Sequence, residues 1–363
     1  MVLTCLSTCT SKTALDITSG QSLRALAACF LPCYDLLVRQ YLTRRLLQSV
    51  AVLFVVSFIT FIIPSLFHGT VARVVLGPRA TPAAIAEFNH AHFFDRSIFY
   101  QYYRYIDGLF HGDFGTSVLR KTINRPAWEI LSPTLPRTIW LAIIPLVISL
   151  LIAIPLGVTQ AWRRNKAFDY ITTFISFLLY STPPYLMCIL AVNVFAINYA
   201  LFPGLIPYPT GTGFFDPPVF MIQNWTAFVL PIACLTLLSL AGVARFTRGA
   251  VLDAIVQDYV RTARAKGAGN RRVLSHHVLR NALIPLVTIL GLSLPGLFGG
   301  ALIVESVFNY PGMGLTTVSH TVGRDIPVVM AATLIIAIAT VIGNLIADLA
   351  LVVVDPRIRI ASK

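Results

Sequence analysis

Apolar runs of about twenty residues or more constrain this chain before any motif does. They fall at 46–66, 138–158, 168–199, 225–244, 284–304 and 326–354. A helix of roughly 20 apolar residues crosses the ~30 Å hydrocarbon layer of a bilayer. Only helices and closed barrels satisfy their own backbone hydrogen bonds there. Of 363 residues, 56% are hydrophobic and 12% charged, which excludes a water-soluble two-domain protein. The pattern predicts an all-α polytopic membrane protein with six transmembrane helices.

A net charge of +13 would suit a nucleic-acid partner, but its distribution decides otherwise. Lys and Arg number 5 in the N-terminal tail, 3 after the second run, 8 around the loop before the fifth run and 3 at the C-terminus, against 9 elsewhere. That asymmetry is the orientation signal of a plasma (inner) membrane protein with both termini cytoplasmic. It divides the chain into an N-terminal extension (1–40), a first span (41–67), an extracytoplasmic segment (68–133), a five-span region (134–354) containing a basic loop (248–283), and a C-terminal tail (355–363).

The basic loop reads DYVRTARAKGAGNRRVLSHHVLRNALIP from Asp258 to Pro285 and holds six of the 28 basic residues. Such charge density cannot lie in hydrocarbon. Residues Val251 to Lys266 space Ile255, Tyr259, Thr262 and Ala263 at helical intervals, predicting a short helix. Gly267 and Gly269 supply the freedom for a turn, and a second helix is expected from Arg271 to Ala282. A basic helix-glycine-helix fixed at both ends to membrane spans is suited to pass force to a cytoplasmic partner.

At these residues the chain resembles the coupling loop of ABC-importer permeases of the dipeptide, oligopeptide and nickel permease family. In the general motif of that superfamily, Glu-Ala-Ala precedes a glycine and a later aliphatic and Leu-Pro. Arg261, Thr262 and Ala263 stand at its first positions, Gly267 at its glycine, His277 at the aliphatic and Leu279-Arg280 at Leu-Pro. Ala263, Gly267 and Leu279 match literally, and the wording YVRTARAKG with LRNALIP is that of the peptide branch. Further similar wording lies at Gly112-Asp113-Phe114-Gly115-Thr116-Ser117, at Leu135-Pro136-Arg137-Thr138 and at Val307-Phe308-Asn309-Tyr310-Pro311-Gly312-Met313-Gly314. The resemblance covers about Tyr41 to Ile360. It implies the type I ABC-importer permease fold, with Tyr259, Arg261, Thr262, Ala263, Arg264, Ala265, Lys266 and Gly267 coupling to an ATPase. It also implies partners: a second permease chain, two cytoplasmic ATPase subunits that bind ATP and Mg, and an external solute-binding protein. The cargo it implies is di- or oligopeptides, with glutathione, nickel chelates or oligosaccharides as alternatives.

Several local features carry expectations of their own. Thr81-Pro82 opens a predicted helix. From Ser97 to Phe110 a second helix aligns Phe99, Tyr102, Tyr103, Ile106 and Leu109 or Phe110 on one side, suiting either the headgroup zone or packing against the rest of its segment. In the third run, Ser181-Thr182-Pro183-Pro184 predicts a kink, with the two hydroxyls available to freed carbonyls. Pro295, with Gly296, Gly299 and Gly300, would allow close approach or distortion in the fifth run. Cys188 and Cys234 read as small packing residues. The pairs Cys5/Cys9 and Cys29/Cys33 have no His or further Cys at ligand spacing beside them, so no metal site is expected.

No phosphate loop, zinc signature or nucleophile elbow is present, so no catalytic residue and no cofactor bound by this chain is expected. Ionisable or distorted positions within the spans are candidates for the translocation pathway: Ser181, Pro183, Pro184, Pro295, Glu305, Asn344 and Asp348, with a structural pairing the other reading of Glu305, and pairing with a basic residue or capping the stronger reading of Asp348. A proton-coupled secondary transporter is the reading from another class. It would need mid-membrane ion ligands and internal repeats, and here the mid-span regions are almost free of charge.

Overall fold

The computed structural model describes residues 43–63, 72, 76–77, 79–91, 95–119, 122–209, 211, 213–283, 286 and 301–354. Among them every regular element is a helix, apart from one antiparallel bridge between Thr116 and Pro126. Two compact units divide the chain: residues 56–351, and a smaller one of the segments 1–55 and 352–363, whose described residues are helical.

Helix α1 is Thr43–Ile63. Short helices α2 (Pro82–Ala91), α3 (Ile98–Phe110) and α4 (Ala127–Leu131) follow. The Thr81 hydroxyl accepts from the Ala84 amide at 3.3 Å and the Ser97 hydroxyl from the Tyr100 amide at 3.4 Å, so both predicted starts are capped. Helix α5 (Thr134–Trp162) covers the expected second span. It is followed by α6 (Ala167–Ser181), α7 (Pro184–Ala191, continued as a π-turn over Val192–Asn198), α8 (Asp216–Gln223) and α9 (Trp225–Ile255). Then come α10 (Asp258–Ala265), α11 (270–283), α12 (301–307), α13 (Met313–Val322) and α14 (Ile326–Val354).

Four described helices are long and apolar enough to cross a membrane, or five if the bent pair α6 and α7 is one span. The expected run Ile284–Val304, with Pro295, lies outside the described residues except for Leu286 and 301–304. Lipid tails are as apolar as leucine, so helices associate there by close packing. Gly157 on α5 shows how: a Cβ there would stand 2.6 Å from both the Ala244 carbonyl oxygen and Thr247 of α9. Ala153 and Ala244 extend the same contact. Cys188 and Cys234 are buried free thiols in the cluster of α5, α7, α9 and α12, as packing residues would be.

The expected third span is the bent pair α6 and α7, broken by 101° where the kink was predicted. A residue before proline is pushed out of the helical region, and two consecutive prolines do this twice. Thr182 takes ψ 125° and Pro183 ψ 134°, after which Pro184 starts α7 at the position where a missing amide costs least. The Thr182 hydroxyl donates to the Leu178 carbonyl at 2.8 Å, which also accepts the Thr182 amide at 3.1 Å, so this bond reinforces the last turn of α6 rather than serving, as expected, a carbonyl freed by the prolines.

A single helix from Val251 to Lys266 is not what forms. Helix α9 runs past the expected end at Ala244 to Ile255, and the chain breaks at Gln257 (φ −70°, ψ 151°) before α10 begins. Geometry gives the reason. In one continuous helix Val251 and Val260, nine residues apart, would face opposite sides at ~100° per residue. The break lets Val251, Ala254, Val260 and Ala263 all bury in one cluster with Val158 and Ala161 of α5.

Candidate functional sites at the two ends of α5

Helix α5 is 29 residues long, about 43 Å at 1.5 Å per residue. One candidate site packs at each of its ends.

At the C-terminal end lies the basic loop. Val260 and Ala263 anchor α10 in the cluster just described, while Tyr259, Arg261, Thr262, Arg264, Ala265, Lys266 and Gly267 are exposed. Of the eight predicted coupling residues, seven therefore form a surface and Ala263 is its seat. Gly267 has φ +81°, a conformation a side chain resists. Its amide donates to the Arg264 carbonyl at 2.9 Å and that of Ala268 to the Ala263 carbonyl at 3.1 Å. This is the paired bonding of a Schellman cap. Nothing lies within 4 Å of where a Gly267 Cβ would be, so backbone angle rather than crowding calls for glycine.

One turn before Val251, Arg248 of α9 donates to both oxygens of Asp169 at 2.7 and 2.8 Å. Asp169 is buried and also accepts from the Asn165 amide at 3.2 Å. The pair ties the start of α6 to the stretch of α9 that enters the loop. Sequence reading missed Asp169, because 79 residues separate it from its partner and neither belongs to a local motif.

The N-terminal end of α5 holds the second site. Glu305, on α12, is fully buried. Its Oε1 accepts from the Thr138 hydroxyl at 2.5 Å and its Oε2 from the Leu315 amide at 3.0 Å. The same Thr138 oxygen accepts from the Met313 amide at 2.8 Å. A buried carboxylate is tolerated only when hydrogen bonds replace its water, and here the turn 309–315 wraps round it. Cβ atoms at Gly312 or Gly314 would overlap that carboxylate. Arg137, also buried, donates to the carbonyls of Pro311 at 3.3 Å and Gly211 at 3.1 Å, with its guanidinium 5.7 Å from the centre of the Tyr208 ring.

Beside this junction, Asp325 accepts from the Ser117 hydroxyl and the Val118 amide and lies 2.8 Å from Nδ1 of His320. Burial alone would raise the Asp325 pKa, but the bonds from His320, Ser117 and Val118 hold it below the ordinary carboxylate value. Phe114, Leu135 and Met313 pack in one cluster, so the three stretches singled out in the sequence, 112–117, 135–138 and 307–314, meet in space. Thr138, Arg137 and Asp325 were not among the predicted site residues; the wording at 135–138 was the only signal for the first two, and Asp325 had none.

The remaining predicted positions are dispersed. Ser181, Pro183 and Pro184 form the corner of the broken span, with Ser181 and Pro183 exposed. Asn344 and Asp348 are half-buried one turn apart on α14. Pro295 lies outside the described residues.

Residues 153–360 match the family described as binding-protein-dependent transport system inner membrane component, and residues 38–142 match the N-terminal part of that component. The chain belongs to this family of transport-system membrane components. It is 37% identical over 320 residues to the oligopeptide transport system permease protein AppB of Bacillus subtilis, covering 88% of this chain and 98% of the relative. Identity is 33% over 332 residues to the dipeptide transport system permease protein DppB of Alkalihalophilus pseudofirmus, with 88% and 99% covered. It is also 33% over 320 residues to the glutathione transport system permease protein GsiC of Escherichia coli, with 88% and 98% covered. As a permease of this family, the chain contributes membrane helices to a transport system that works with a binding protein.

Proposed function

We propose that this permease forms half of the translocation pathway of an ATP-driven importer of di- and oligopeptides. A second permease chain supplies the other half, two cytoplasmic ATPase subunits bind ATP and Mg, and an external solute-binding protein delivers the cargo. In this reading the chain crosses the plasma membrane six times with both termini cytoplasmic, and the segment 68–133 faces outward to meet the binding protein. ATP binding draws the ATPase pair together, α10 moves with the cleft that grips it, and the spans rock between two rigid arrangements.

The observation that carries this is α10 itself: an exposed basic face seated by Val260 and Ala263 against α5 and α9 and closed by the Gly267 cap. The names of the relatives support peptide as cargo, and the glutathione permease among them supports a tripeptide as the second reading.

Gly267→Val in the assembled importer tests it. A β-branched residue at φ +81° costs about 1–2 kcal/mol locally, so the cap is lost while Val260 and Ala263 still hold the helix. Peptide uptake falls several-fold relative to ATP hydrolysis, and uptake stops on ATP depletion but not with a protonophore. Uptake that survives ATP depletion and ends with the protonophore overturns the reading in favour of proton coupling.

A further inference from the structure

Helix α3 divides into three sectors. Tyr102 and Tyr105 face α1: the Tyr102 and Ser57 hydroxyls are 2.8 Å apart, Phe58 meets the Tyr102 ring edge-on at 5.3 Å and Phe61 stacks on Tyr105 at 5.6 Å. Roughly a quarter turn round, at ~100° per residue, runs a stripe at 99, 103, 106 and 110. Phe99 is 78% exposed, Tyr103 65% and Phe110 86%. On the side beyond that stripe, Arg104 is exposed and Asp107 half-buried, their charged groups 3.9 Å apart.

We infer that the stripe Phe99, Tyr103, Ile106 and Phe110 is a lipid-binding surface that lays α3 in the headgroup layer of the membrane. The contact with α1 sits toward one edge of the expected first span: Ser57 and Phe61 lie nine and five residues before the end of the apolar run 46–66. Helices that lie in the interface bury their apolar face ~5–10 Å into the headgroup and acyl boundary. At that depth, one sector against a span, the next aromatic and the last charged is the order that protein, lipid and water would select. Tyr and Phe also suit this layer, being apolar in body and, for Tyr, polar at the tip. The inference needs α1 to cross the bilayer and is independent of which side either end faces.

Single tryptophans test it in the full-length chain reconstituted in phosphatidylcholine nanodiscs. Phe99→Trp and Phe110→Trp exchange ring for ring at exposed positions, and Arg104→Trp reports the charged sector. Emission is read as the gain over the four native tryptophans. Phosphatidylcholine brominated near the headgroup end of its acyl chains quenches the gain at 99 and 110 by about twofold or more, as an interfacial site requires, while iodide quenches only the gain at 104. Gain at 99 and 110 that iodide quenches and bromolipid does not places the stripe in water. Gain insensitive to both places it against protein, whether another segment of this chain or a partner. Either result overturns the inference.

Discussion

Both carboxylate oxygens of Asp169 are held by the guanidinium of Arg248, at 2.7 and 2.8 Å, one turn before Val251, which helps to seat α10. Bidentate geometry fixes direction as well as distance, so the start of α6 and the end of α9 move as one piece. Removing Arg248 alone leaves a buried carboxylate without its partner. Arg248→Met is expected to cost about 3 kcal/mol or more, read as a lowered thermal midpoint of the purified complex. Asp169→Asn combined with Arg248→Met recovers part of that loss; a double-mutant cycle with no coupling energy would count against the pair.

Exposure separates the working face of α10 from its seat. Arg261 and Arg264 are exposed, so Arg261→Glu with Arg264→Glu should change stability by no more than about 0.5 kcal/mol each. The same change reverses the charge offered to a cytoplasmic partner. Peptide uptake and co-purification of the ATPase subunits are expected to fall several-fold while the thermal midpoint of the isolated chain holds. A midpoint that drops with them would make these arginines structural.

At the other end of α5, Thr138→Val removes the hydroxyl that joins Glu305 to the Met313 amide. Two buried groups lose a partner, for about 1–3 kcal/mol. Gly312→Ala inserts a methyl where the Glu305 carboxylate lies and is expected to be at least as costly. Limited proteolysis within 307–315 should accelerate in both variants. Unchanged cleavage and midpoint would show that the turn does not depend on this carboxylate.

Asp325 sets a pH dependence whose sign follows from its environment. Its folded-state pKa lies below the ordinary 3.8, so the stability it contributes is fully present above that value and is lost as pH falls through the lower, folded value. Wild type should exceed Asp325→Asn in thermal midpoint at neutral pH, with the gap closing only below about pH 4. A gap that closes well above pH 4 would reverse the assignment.

Much of the fold could be read from apolar run length alone, since a bilayer demands continuous helices. The capped starts at Thr81 and Ser97 were likewise legible, because each acts within four residues of its own position. What stayed hidden depends on partners far away in the chain. Spacing could show that Val251 to Lys266 was helical, but only the cluster contributed by α5 shows why the helix must break at Gln257. Asp169 and Asp325 carry no local signature, and their roles emerge only when Arg248 and Ser117 are brought to them. Glu305 was visible as an oddity, a carboxylate at the end of an apolar run, but the turn that encloses it was not.

The right angle in the third span has a consequence for solvation. Each arm is 15 residues, about 22 Å, short of the ~30 Å hydrocarbon layer, so if the pair crosses that layer the corner falls inside it. Extended backbone at Thr182 and Pro183 cannot be wetted by acyl chains without stranding its polar groups. In a membrane, therefore, this elbow has to be sheathed by another helix or moistened by a cavity, and reagents confined to the oil phase should never touch it.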